Sequence, residues 1–220
     1  KRYPSAIAGL IIIIILVVSA VVIVITIPYN EAIRLWRGGA SIWYQNPKTA
    51  PPAWTNWFTQ DDKPPSLFLE EGDEGVTVTR EVVSENQVDI FYTYSFDYDY
   101  DAFPQELALY LNGIYEEKNP FADIYWVKPD GTEVRIASQG IEKALTIYFS
   151  QEDKLRRRLD DVSPEIGLFT VPESQPPEIM PGTYELRVEG IAFEAESDLQ
   201  SEFIIYGQVH GIAGTDHLRR

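Results

Sequence analysis

Residues 88–100 read VDIFYTYSFDYDY. Val88, Ile90, Tyr92, Tyr94, Phe96, Tyr98 and Tyr100 fall on one parity, and Asp89, Phe91, Thr93, Ser95, Asp97 and Asp99 on the other. Successive side chains of a strand point to opposite faces, so this alternation predicts a strand with one face buried. Strands usually run about 3–10 residues, and a break near Phe96 is therefore expected.

Outward from this stretch the same reading predicts strands over 75–83, 107–111, 123–127, 133–137, 145–149, 183–189 and 202–206. Lys128-Pro129-Asp130-Gly131 carries the chemistry of a hairpin turn: proline presets φ, and glycine accepts the positive φ that closes the turn. Seven or more short strands separated by turn signals predict a β-sandwich. Pro181-Gly182 followed by the alternating 183–188, TYELRV, is similar to the late strands of immunoglobulin-like sandwiches. One helix is expected over 151–159, with Ser150 as its cap and Asp153 completing a capping-box-like pattern. Its basic run Arg156-Arg157-Arg158 faces Asp160-Asp161, and local ion pairs worth under about 1 kcal/mol each are expected there.

Toward the N-terminus the pattern changes. Residues 6–27, AIAGLIIIIILVVSAVVIVITI, contain no charge, and Ser19 and Thr26 are the polar members. At about 1.5 Å per residue the run reaches roughly 33 Å, enough for a hydrocarbon core of about 30 Å, so it reads as a transmembrane helix. A secretory signal is the competing reading. Its apolar core is about 7–15 residues and ends in a small-x-small site, whereas this run is longer and ends in Ile27-Pro28-Tyr29. Because the sequence opens on Lys1, residues upstream of it are expected.

Lys1 and Arg2 before the helix are balanced by Arg34 and Arg37 after it, so local charge does not orient the span. All 34 acidic residues lie beyond Ile27, against 16 basic ones there. So acidic a domain suits the extracellular side of a cell (plasma) membrane and argues against nucleic acid or anionic lipid as its ligand. With no cysteine, disulfides and thiolate chemistry are excluded.

The expected layout is a cytoplasmic flank at 1–5, the span at 6–27, a juxtamembrane segment at 28–66, a β-sandwich at 67–207 and a linker at 208–220. The segment 28–66 holds Trp36, Trp43, Trp54 and Trp57 among several prolines. A collar at the headgroup level, a ligand-stacking platform and ordinary packing on the domain all fit it.

Catalytic signatures are missing. His210 and His217 are the only histidines and stand in no zinc-binding spacing, and no nucleophile elbow, Walker loop or dinucleotide fingerprint occurs. No catalytic residue and no cofactor is therefore expected. Asp97, Asp99 and Asp101 form the sharpest acidic string and would suit calcium, but the string lacks the glycine and distant glutamate of a calcium loop, and a solvated acidic face is the favoured reading.

Gly214-Thr215-Asp216, with Arg220 four residues on, resembles the Gly-Thr-Asp-x-x-Gly-Arg-Asp motif of the dipeptide/oligopeptide ABC permease family, which stands just before that family's second membrane helix. Ile27-Pro28-Tyr29-Asn30 is similar to the family's exit from its first span. Asn46-Pro47 and Ala50-Pro51-Pro52-Ala53-Trp54 resemble a segment seen in some members. Arg219 departs from the pattern, which has glycine there. The resemblance implies a fragment of a permease subunit: the first span and a large extracellular insert, without the remaining spans or the loop that couples to ATPase. It implies a second permease subunit, separate ATPase subunits and an extracellular solute-binding protein as partners, peptides or oligosaccharides as cargo, and an insert that docks the binding protein or covers the translocation entrance. The alternative is a free-standing membrane-anchored β-sandwich used for adhesion or binding.

Overall fold

The stretch 88–100 lies in strand β3, Gln87–Tyr98, which runs unbroken for 12 residues in the computed structural model; the structure describes residues 4–194 and 196–220. The break expected near Phe96 does not occur. β3 pairs on one side with β2 (Val76–Ser84) and on the other with β8 (Gly182–Ala192), the second ladder running from Val88–Ala192 to Tyr98–Gly182. A partner on each side gives its backbone groups hydrogen bonds along nearly all its length, so that length carries no penalty. Val88, Ile90, Tyr92, Tyr94, Phe96 and Tyr98 are buried as the alternation predicts. Tyr100, past the strand end, is half-buried with its ring edge-on to Tyr98.

The remaining strands are β1 (Leu67–Leu69), β4 (Glu106–Ile114), β5 (Phe121–Val127), β6 (Glu133–Gly140), β7 (Leu145–Tyr148) and β9 (Asp198–Tyr206). β1 was not legible in the sequence, because three residues are too few to display alternation. Two antiparallel sheets form, in the orders β1-β9-β4-β7 and β2-β3-β8-β5-β6, and they face each other as the expected β-sandwich. With β2 set aside, the chain passes between the sheets in jelly-roll order, two interlocked Greek keys, and not in the immunoglobulin-like order expected from Pro181-Gly182 and the strand after it, because a local strand pattern does not specify its neighbours. The last strand thereby lies beside the first: Leu67 pairs with Ile205. The chain consequently enters and leaves the sandwich at one pole.

Between the sheets the core is aromatic. Phe203 of β9 packs against Tyr94, Phe96, Trp126 and Phe149. Trp126 is fully buried, and its indole N–H donates to the Leu168 carbonyl at 3.2 Å, so no polar cost offsets its burial. Each such side chain stabilises by about 1.5–3 kcal/mol relative to exposure.

The 128–131 turn closes as read: Gly131 N–H donates to the Lys128 carbonyl at 2.9 Å, with Gly131 at φ 83°. The helix beyond it differs from expectation. A 3-10 turn, Phe149–Gln151, precedes α4, Asp153–Arg158, and Ser150 caps nothing because its hydroxyl is bonded to Glu106 at the start of β4. Arg156 and Arg158 donate to the carbonyls of Asp161 and Arg135, and none of the described ion pairs joins the basic run to Asp160 or Asp161. Asp160 and Asp161 sit in left-handed turn conformations. A short helix, Pro164–Gly167, sits against the same end of the core, between α4 and β8.

Ahead of the sandwich, a 23-residue helix, Pro4–Thr26, is long and apolar enough to cross a membrane and is not covered by the rest of the chain. Lys1 and Arg2, on which half the charge comparison rests, lie outside the described residues. Pro28, which lacks an N–H, separates this helix from an amphipathic one, Tyr29–Arg37, and a single turn of helix, Gly39–Ile42, follows. In chain order these helices are α1 (Pro4–Thr26), α2 (Tyr29–Arg37), α3 (Gly39–Ile42), α4 (Asp153–Arg158) and α5 (Pro164–Gly167).

Candidate functional site

Two features stand out: a clasp made from both ends of the domain at the pole where the chain enters and leaves, and a groove on the outer face of the four-stranded sheet, from its middle toward the opposite end.

The clasp joins residues 44–53 to 206–220. Thr215 is its pivot, because its hydroxyl donates to the Pro47 carbonyl at 2.8 Å and accepts from Ala50 N–H at 3.0 Å, while its own N–H donates to the Ala50 carbonyl at 2.8 Å. Thr49 N–H donates to the Asp216 carbonyl at 3.1 Å. Gly214, at φ 73°, lies against this ladder so closely that a Cβ would fall 2.4 Å from the Ala50 oxygen. Asp216 accepts from the backbone N–H groups of Leu218 and Arg220 and from the Arg220 guanidinium at 2.8 Å. Those donors, the Arg220 backbone foremost, hold its carboxyl down at about 2. Arg220 also stacks 4.2 Å from the Trp36 ring centre and donates to the Trp36 carbonyl, tying α2 to the domain.

Arg219 occupies the position where the resemblance expects glycine, and it sits at φ 67°, in the left-handed region that favours glycine. Its guanidinium is buried, lies 4.4 Å over the Tyr206 ring and donates to the carbonyls of Tyr44 and Asn46. These contacts offset the backbone strain. Gly214, Thr215, Asp216 and Arg220 are thus brought together with the 46–54 segment, although more than 160 residues separate them in sequence.

Above the clasp, outward positions of β4, β7 and β9 carry Tyr110, Tyr148 and Tyr206. Tyr206 has one hydroxyl proton and gives it to the Tyr44 carbonyl at 2.5 Å, so Tyr110 must donate to Tyr206 at 2.8 Å and Tyr148 to Tyr110 at 3.3 Å. Burial pushes the Tyr110 and Tyr206 hydroxyls up, keeping this chain of donors protonated. Tyr44 stands edge-on to Tyr110 with ring centres 5.0 Å apart, and its hydroxyl donates to Glu202 at 3.0 Å. Beyond the tyrosines the face opens into a groove of 480 Å³ lined by Glu70, Tyr110, Asn112, Thr146, Gln200 and Glu202, among others. Ser201 lies in its wall with its hydroxyl buried. This face was missed in the sequence. The tyrosines at 110, 148 and 206 did stand on the polar parity of their strands, and that was the available signal.

The acidic string is not assembled. Asp97 accepts from Thr183 at 2.6 Å, Asp101 accepts from the Asp62 N–H at 3.1 Å, and Asp99 is exposed. Among the described residues no group of three or more histidines or carboxylates is placed to hold a metal ion. His210 sits in the clasp, donating its backbone N–H to the Pro51 carbonyl at 2.9 Å.

No protein-family model matches this chain, and neither does any curated protein. Among solved structures it is similar to TmCBM61 in complex with β-1,4-galactotriose, at 9% identity, covering 71% of this chain and 92% of that one, with a TM-score of 0.30. It is also similar to carbohydrate-binding modules of the β-sandwich superfamily, at 9% identity over 74% and 62% of the two chains, TM-score 0.27. A third is from the Gx strain of infectious bursal disease virus, at 15% identity over 67% and 31%, TM-score 0.28. Likenesses this slight decide nothing about ligand or partner.

Proposed function

We propose that this chain is a membrane-anchored β-sandwich recognition module that carries no chemistry of its own. The observation that carries this reading is the groove. It is open to solvent, and Tyr110 in its lining has its hydroxyl committed to Tyr206 and Tyr148. The amides and carboxylates around it, Asn112, Gln200, Glu70 and Glu202, are the groups that orient a polar ligand rather than transform one. Among the described residues no metal cluster accompanies it.

The experiment is a binding screen of the full chain in nanodiscs against arrayed oligosaccharides and peptides. Binding that is lost in Asn112→Ala and Gln200→Ala, with the sheet spectrum unchanged, supports the groove as the recognition face. Binding untouched by both substitutions would remove it.

A narrower reading is favoured by the clasp. In it, the module is the extracellular insert of an importer permease subunit, standing between a first and a second membrane span. Two of the three segments on which the family resemblance rests, 46–54 and 214–220, meet in space, Arg220 of the second contacts Trp36 of α2, and the jelly-roll order returns the chain to the pole it entered. Arg219 sits at φ 67°, in the left-handed region that favours a glycine such as the family pattern has there. On this reading the second permease subunit, the ATPase subunits and a solute-binding protein are the partners, and the groove faces the incoming binding protein or its cargo. Reading the gene beyond Arg220 separates the two. An apolar span within about thirty residues, enough for a short exit loop before a helix of about 20 residues, together with neighbouring genes for an ATPase and a secreted binding protein, supports the importer. A stop codon there leaves the free-standing module.

A further inference from the structure

Next to the clasp, the 3-10 turn Ala53–Phe58 and the turn at 210–213 form one tip. Ala53 N–H donates to the Gly211 carbonyl at 2.9 Å, and the Trp54 indole N–H donates to the Ile212 carbonyl at 2.9 Å. Trp54 and Phe58 pack edge to face, with ring centres 6.2 Å apart. What the tip presents outward is apolar: Trp57 is 83% exposed, Phe58 80% and Ile212 89%. Residues 50–60 and 211–215 carry no charge, in a chain whose net charge is −16.

An acidic body is repelled by an anionic membrane surface, and this neutral aromatic tip is where it can approach one. Aromatic side chains with a polar handle prefer the headgroup level of a bilayer. The tip is also continuous with the membrane helix. α1 ends at Thr26, α2 follows with Tyr29 and Trp36 exposed, the Trp43 indole N–H is bonded to the Leu35 carbonyl at 2.8 Å, and Arg220 binds α2 to the clasp from which the tip projects.

We propose that Trp57, Phe58 and Ile212 insert into the headgroup region of the leaflet that α1 leaves, so that the sandwich rests on the membrane at a second point and is held at a fixed tilt. This rests on the reading of α1 as a membrane span. With two points of attachment, the groove on the outer sheet face is held at a set orientation above the lipid instead of sweeping around a flexible stalk.

Because the chain has no cysteine, single cysteines report position without background. Trp57→Cys, Ile212→Cys, Val17→Cys in α1 and Glu85→Cys in the β2–β3 turn at the opposite pole would each be labelled with an environment-sensitive fluorophore in the full chain, reconstituted in phosphatidylcholine vesicles. The labels at 57 and 212 are expected to emit at shorter wavelength, to lose intensity to lipid-borne doxyl groups and to be spared by aqueous iodide, whereas the label at 85 does the reverse. If the label at 17 is in lipid and those at 57 and 212 are quenched by iodide like the one at 85, the inference falls and the span stands. If the label at 17 is also in water, the span reading falls and the inference with it.

Discussion

At position 219 an arginine adopts the backbone angle of a glycine, and its side chain shows why this is tolerated: two carbonyls and a tyrosine face receive the guanidinium. Gly214 has no such compensation available, because any Cβ there meets the Ala50 carbonyl. Gly214→Ala is expected to loosen the clasp at a cost of about 1–3 kcal/mol. Hydrogen exchange would register this as faster exchange at Thr49 and Ala50, with the β3 amides unchanged. Asp216 adds a pH dependence of definite sign. Its carboxyl is held at about 2 in the folded chain against an ordinary 3.8, so its contribution is fully present above that ordinary value and is lost as pH falls through about 2. Amide signals of residues 49–50 and 218–220 followed by NMR from pH 5 to pH 2 are expected to move in the native chain, and to lose that transition in Asp216→Asn.

At the scale of elements, β3 was legible because its buried parity repeats six times without interruption, and the 128–131 turn because its chemistry is local. Ser150 failed as a cap for a non-local reason: Glu106, 44 residues earlier, takes its hydroxyl. Lys128 is a similar case. From sequence it belongs to a turn, yet its ammonium is buried and donates to the carbonyls of Gly167 and Thr170 at 2.9 and 3.0 Å, pinning α5 to the β5–β6 hairpin. Burial lowers the pKa of that amine, because the charge is partly stripped of water. Lys128→Met leaves two inward carbonyls without a donor and is expected to destabilise by about 2–4 kcal/mol at neutral pH, measured by urea unfolding.

For the whole molecule, the aromatic core between the sheets contains no residue from α1 or α2. Residues 28–220 without the apolar helix are therefore expected to fold by themselves, giving a sheet-dominated circular dichroism spectrum and one cooperative thermal transition; an aggregated or molten product would mean that α1 contributes to the core. Trp126→Ala in this form is expected to cost about 3–5 kcal/mol, since the cavity it leaves is walled by both sheets.

The sequence by itself determined the elements whose signal is periodic or local: an apolar helix long enough to span a membrane, a series of half-buried strands, the hairpin at 128–131 and hence a β-sandwich. Only the tertiary structure decided which strands are neighbours, because alternation says which face is buried but not against what. From that pairing came everything at the two sites. β1 lies beside β9, so both ends of the domain meet. Thr215 finds Pro47 and Ala50, and Tyr44 comes to rest on Tyr110. Hydrogen bonds between groups more than 160 residues apart leave no periodic mark in a sequence, and they appear only when the fold closes.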